Sequence, residues 1–184
     1  MSYIAKPFVA GTPQALVAGQ AVIAFADNLV SDAIAPLLPK HGLDNIDPEK
    51  WYPHQSWLDV LEDLGGRPDA SSVFVAFGRK VVETAVMPPE IQTADDMLDA
   101  LHAIHHANLQ NVPEEEGYYV EKLGPKHYYV HHNTPNPEDA IYGFLWGLMS
   151  RFCTDDEQFV VRLLPNEASQ HGRSVYEVKW GRDV

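Results

Sequence analysis

Two groups among the nine histidines of this chain carry the spacing of a ligand set. His102, His105 and His106 stand at i, i+3 and i+4. On a helix they share one side, where two imidazoles can hold zinc, copper or iron. The structural alternative is a polar helix edge beside the stripe Met97, Leu101, Ile104 and Asn108. The second group is His127, His131 and His132. Period-two alternation puts His127, Tyr129 and His131 on one face of a strand and Tyr128, Val130 and His132 on the other. A pocket lined by Tyr129 and His131 fits this pattern, and so does an ordinary surface strand. Carboxylates are few near this second group, so a metallohydrolase would need Asp or Glu from elsewhere in the fold.

Other residues offer less. Trp51, Tyr52, Trp57 and Trp146 can line an apolar cavity or simply fill a core. Arg79, between Gly78 and Lys80, can reach an anionic ligand or lie at the surface. Glu114-Glu115-Glu116 reads as a solvated loop. Cys153 is the only cysteine, which excludes an internal disulfide and the zinc patterns built from several thiolates. The chain has no phosphate-cradling glycine loop, no dinucleotide fingerprint, no His-Glu-x-x-His and no Gly-x-Ser-x-Gly. The expectation is a binding protein rather than an enzyme.

Charge narrows the partners. Asp and Glu outnumber Lys and Arg by 26 to 13, for a formal net charge of -13. That field repels a nucleic-acid backbone and an anionic membrane surface alike. No stretch approaches the roughly 20 apolar residues of a membrane span, and Met1 to Pro7 lacks the apolar core of a signal peptide. A cytoplasmic protein is expected, 184 residues long and read as one domain over 1–184 with an irregular lead-in over 1–14.

The elements that must position these residues follow from periodicity. Val22, Phe25, Ala26, Leu29, Ala33, Ile34 and Leu37 repeat at helix spacing and predict one helix from about Ala15 to Leu38. A second is predicted from Asp47 to about Leu64, stopped by Gly65-Gly66. Val73 to Val86 is long enough to favour helix over strand, and Thr93 with Asp96 predicts the N-cap of a helix reaching about Leu109. Tyr118 to Val130 reads as an aromatic hairpin. Ala140 to Phe152 returns to helix, with Gly143 and Gly147 permitting a close neighbour, either internal or in a homodimer. Phe159 to Leu164 and Ser174 to Trp180 close the chain as two strands. Helices and strands are segregated, which predicts an α+β fold with helices packed on a mostly antiparallel sheet of about four strands.

Over residues 91–180 this order resembles the second half of a heme-nitric oxide binding domain, of the superfamily that also holds the 4-vinyl-reductase-type domains. The pieces that carry the resemblance are Leu98-Asp99-Ala100-Leu101-His102-Ala103-Ile104, then Pro113, Tyr128-Tyr129, Tyr142-Gly143-Phe144-Leu145-Trp146-Gly147-Leu148 and Tyr176-Glu177-Val178-Lys179-Trp180. The resemblance implies heme as the cofactor with His102 as its proximal ligand. It also implies a Tyr-x-Ser-x-Arg element for the heme carboxylates, matched here by Tyr129, His131 and Asn133, with the arginine lost to Asn133 and its bidentate charge with it. The relatives without heme imply instead a sensory or accessory module that takes a small hydrophobic ligand and signals to a partner protein. Three readings therefore stand: such a module, a heme gas sensor using His102, and a small metal-dependent enzyme using the histidine clusters, with His102, His105 and His106 as its metal ligands.

Overall fold

The chain departs from the expected first helix at its outset. Leu16–Ala18 is a strand, β1, and helix begins only at Gly19. Three residues are too few to show a period, and their conformation is set by distant partners. β1 pairs antiparallel with β2 (Trp51–Pro53) on one side and β3 (Leu109–Gln110) on the other, giving a small sheet of order β2-β1-β3. Such tertiary pairing overrides local propensity in short segments. The computed structural model describes residues 3–28, 31–165, 169, 171–182 and 184.

After β1 the expected single helix is broken into α1 (Gly19–Asp27), α2 (Ser31–Ile34) and α3 (Leu37–Lys40), with Pro36 capping the last. Leu29, part of the predicted stripe, lies outside the described residues. The second predicted helix loses its start to β2 and runs as α4 (His54–Gly65), burying Trp57, Leu58, Val60, Leu61 and Leu64. α5 (Ala70–Thr84) follows, a helix as its length implied. α6 (Ala94–Ala107) begins at a capping box: Thr93 Oγ1 accepts the Asp96 N–H at 3.1 Å, and the Asp96 carboxylate accepts the Thr93 N–H at 2.9 Å.

The C-terminal half keeps the predicted order. β4 (Gly117–Gly124) and β5 (His127–Asn133) form the hairpin, α7 (Glu138–Phe152) follows, and β6 (Gln158–Leu163) and β7 (Ser174–Gly181) complete an antiparallel sheet of order β4-β5-β7-β6. The α+β expectation holds, with the three-stranded sheet as an addition. Tyr128, Val130, Tyr176, Val178 and Trp180 bury one face of the large sheet against Leu145, Leu148 and Met149 of α7.

The apolar interior forms two clusters. One gathers Val22, Trp57, Leu58, Leu61 and Phe74 from the N-terminal helices, and the other joins α6, α7 and the large sheet. α5 and α7 tie them together by backbone contact. A Cβ on Gly78 would sit 2.1 Å from the Ala140 carbonyl oxygen, and one on Gly143 would sit 2.2 Å from that of Val75. The Gly143/Gly147 face considered for a homodimer is thus occupied by α5 of the same chain. Residues 3–14 carry no helix or strand beyond one bridge between Lys6 and Val9. No helix among the described residues is long and apolar enough to cross a membrane.

Candidate functional site

A cavity of about 710 Å³ lies where the two apolar clusters meet. Phe25 of α1, Trp57 of α4 and Phe77 and Val81 of α5 wall one side, and Met97 and Leu101 of α6 with Ile141 and Phe144 of α7 wall the other. Its size falls within the roughly 300–1,000 Å³ of small-molecule sites. The Thr84 to Pro88 connection contributes to the wall, and Val86, 96% exposed, stands there in solvent.

The α6 side of the cavity decides which histidine faces it. Met97, Leu101, Ile104, His105 and Asn108 all line the hollow, as one stripe repeating at three and four residues does. His102, one position beyond Leu101, is rotated about 100° away. It lies in a separate groove of about 310 Å³ with Tyr3, Ile4, Glu115, Tyr118, Tyr119 and His171. There its Nδ1 accepts the Tyr118 N–H at 3.4 Å, and burial with the neighbouring His106 holds its pKa below the ordinary imidazole range. Of these histidines it is His105, and not His102, that lines the larger cavity. Gly117, at φ 138°, sits against the His102 ring, where a Cβ would come within 2.7 Å of Nδ1.

Behind His105 is a buried carboxylate. Glu116, expected in a solvated loop, is fully buried, although Glu114 and Glu115 are exposed. His105 Nε2 lies 3.3 Å from Glu116 Oε1, the Tyr3 hydroxyl donates to Oε2 at 3.1 Å, and His106 Nε2 donates to the Glu116 carbonyl at 2.8 Å. A buried charge is tolerated only when satisfied in this way. Sequence reasoning missed Glu116 because three consecutive glutamates look alike until the strand start at Gly117 turns the third inward.

His54 was also missed. It is the first residue of α4, it lines the cavity, and it is 3% exposed. Its Nδ1 has no hydrogen-bond partner among the described residues. Burial pushes the His54 pKa down to about 4, with the Glu116 charge opposing and His105 adding to the shift. The ring is therefore neutral at neutral pH. Nothing in the sequence flagged it, since a single histidine in Trp51-Tyr52-Pro53-His54 has no spacing partner.

The remaining expected site residues disperse. Tyr129 and His131 lie on the face of the large sheet opposite α7. Tyr129 stands edge-on to His127, and His131 Nδ1 meets Ser169 Oγ at 2.9 Å, with its ring beside Tyr119 and His171. His132, on the other face, is fully buried between Ser174 Oγ at 3.2 Å and Thr134 Oγ1 at 2.7 Å, and burial lowers its pKa well below the ordinary range. Asn133 is 1% exposed. It donates to the carbonyls of Tyr3 at 3.1 Å and Glu115 at 2.7 Å and accepts the Ala5 N–H at 2.9 Å, so it clamps the N-terminal segment. His105 and His106 both turn to Glu116 and His102 to the Tyr118 N–H, with the His102 and His106 rings 4.5 Å apart, yet no three His, Cys, Asp or Glu side chains among the described residues converge as a metal-ligand set.

Heme demands an axial donor and partners for two carboxylates. His105 supplies an imidazole at the cavity wall, with Glu116 as the carboxylate that would orient it. The second demand is unmet. No Lys or Arg lines the cavity among the described residues, Asn133 is fully committed elsewhere, and the half-buried Arg173 donates to the carbonyls of Thr134 and Asn136. Glu116 adds a further negative charge nearby. The residues present do not fit heme.

No family model matches the chain, and no curated protein matches it. Fifteen chains of solved structure do. A mutant H-NOX from T. tengcongensis shares 14% identity at a TM-score of 0.59, covering 88% of this chain and 94% of that one. The IWP-051-bound H-NOX from Shewanella woodyi in the Fe(II)CO ligation state shares 18% at 0.52, over 87% and 90%. An unliganded Fe(II) H-NOX mutant from K. algicida shares 14% at 0.55, over 91% and 98%. These likenesses span nearly the whole of both chains, so the arrangement of helices on an antiparallel sheet is the fold of these H-NOX structures.

Proposed function

We propose that this protein is a ligand-binding sensory module whose cavity takes a small, neutral, apolar molecule. One observation carries the reading: a hollow of about 710 Å³, walled by aromatic and aliphatic side chains of both cores, with no cation on its lining among the described residues. Natural interiors are packed densely and leave few voids larger than a water molecule, so an apolar hollow of this size is a ligand site rather than a packing fault. Its walls come from both clusters, so an occupant with unequal affinity for two arrangements of them shifts their balance. The coupled partner is a second protein that reads that shift.

Titration with 1-aminoanthracene, a neutral fluorophore that brightens in apolar surroundings, tests the reading. Ala21 is buried on the cavity wall. The protein should show saturable enhancement, and Ala21→Phe, which sets a benzene-sized ring into the hollow, should weaken it while raising the melting temperature. No saturable binding, or binding indifferent to Ala21→Phe, would refute the proposal.

A further inference from the structure

The two edges of the large sheet are built differently. β4, at one edge, carries a register shift between Lys122 and Gly124 and the exposed charges of Glu121 and Lys122. Charges and bulges of this kind keep other strands from adding to a sheet. β6, at the other edge, lacks the bulge. It pairs with β7 in unbroken register over Gln158–Leu163 and offers Phe159, Val160, Val161 and Leu163, none of them fully buried. Arg162 is its one charged residue, and it is already matched by Glu177 Oε2 at 2.6 Å.

The ladder fixes which backbone groups of β6 point away from β7. The Leu164 N–H donates to the Val175 carbonyl at 2.9 Å, which makes the adjoining pair of Leu163 and Tyr176 a non-hydrogen-bonded one. Bonded and non-bonded pairs alternate, so Gln158, Val160 and Arg162 exchange bonds with β7, while Phe159, Val161 and Leu163 turn their N–H and C=O groups outward. No backbone bond from elsewhere among the described residues reaches those outward groups.

An added antiparallel strand must set its own outward residues against these. β6 is itself flat, apolar and phased in this way, so a second β6 meets the condition on a two-fold axis through Val160, Val161 or Arg162. Centring on Arg162 opposes two like charges, and centring on Val160 leaves Leu163 facing a residue outside the strand. Centring on Val161 uses the whole strand. Val161 then faces the partner's Val161 and Phe159 faces the partner's Leu163, each pair exchanging both bonds, and Val160 lies opposite the partner's Arg162. Phe159, Val161 and Leu163 all lie on the side packed against the core, so one apolar face continues across the junction. We infer that the β6 edge joins a second copy of this chain, antiparallel and centred on Val161, in one sheet continuous through two subunits.

Sedimentation velocity over a dilution series tests this on the full chain, with added salt to screen the repulsion between two copies of charge -13. A monomer–dimer equilibrium is expected. Amide hydrogen exchange assigns the surface: the Val160 and Arg162 N–H groups, bonded to β7, should be protected at every concentration, whereas those of Phe159, Val161 and Leu163 should gain protection as dimer forms. Val160→Lys puts a lysine opposite the partner's Arg162, twice across the axis, and should weaken the dimer by roughly tenfold or more. Val161→Pro removes an outward N–H and no bond to β7, and should abolish the dimer. Urea unfolding identifies which variants are folded. A wild type that stays monomeric overturns the inference, as does a dimer in which the three outward amides exchange at the monomer rate, or one that a folded variant keeps at full strength.

Discussion

The protonation of His54 makes a prediction that can be worked through in numbers. A histidine in the unfolded chain takes its proton near 6.5, and in the folded chain His54 refuses it down to about 4. Between those values the unfolded state binds a proton that the folded state does not, so stability rises with pH. The contribution is fully present above pH 6.5 and is lost as pH falls toward 4. Because the side chain is almost wholly buried, solvent screening takes little from it. Linkage then gives a loss of about 2 kcal/mol between pH 7 and pH 5, and about 3 kcal/mol by pH 4. His132, His102 and His131 are also held below the ordinary range by burial and add losses of the same sign. Comparison with His54→Leu isolates the one residue, since that variant keeps the other three. Urea unfolding at pH 7 and pH 5 should show wild type losing about 2 kcal/mol more than His54→Leu. Parallel losses in the two proteins would show that His54 is not a buried neutral base and would refute the reasoning.

Three further outcomes follow from the geometry. Addition of excess hemin to the purified protein should give no intense Soret band, and His102→Ala and His105→Ala should leave the spectrum unchanged; a band abolished by His105→Ala would show that the cavity accepts heme without a cationic partner. Gly143→Ala should cost more than the 1–3 kcal/mol typical of overpacking, measured as a fall in the urea midpoint, because its methyl would lie about 2.2 Å from the Val75 carbonyl oxygen, where backbone on both helices must move. Asn133→Ala strands the Ala5 N–H and two carbonyls and should cost about 2–3 kcal/mol, with residues 3–10 becoming more susceptible to limited proteolysis; unchanged cleavage would show that the clamp is not what holds the segment.

Much of the C-terminal half was legible because its signals are local. The capping box at Thr93, the alternating aromatics of the hairpin and the helix period over Ile141 to Phe152 each specify an element without reference to distant chain. β1 and β2 were not legible for the opposite reason. Each is three residues long and exists through pairing with segments about 35 and 90 positions away, so the helix period of Val22, Phe25 and Ala26 was extended back over Leu16–Ala18 and Trp51–Pro53 was absorbed into the following helix. The site was legible in part. The stripe Met97, Leu101, Ile104 and Asn108 marked the buried side of α6, and carried consistently it reaches His105, not His102. The family resemblance drew attention to His102, which lines the smaller groove beside Tyr118. Glu116 and His54 had no signal of their own: one is the third of three glutamates, the other an isolated histidine, and only the folded chain places both behind or on the cavity wall.

The existence and character of the hollow can be tested without knowing its ligand. Crystals of the full chain held under xenon pressure report apolar cavities directly, because xenon enters dry, unfilled space and little else. Xenon sites should appear among Phe25, Phe77, Met97 and Leu101, and those beside position 21 should be lost in Ala21→Phe. Ordered water filling that space, or side chains packed through it with xenon confined to the surface, would contradict the account.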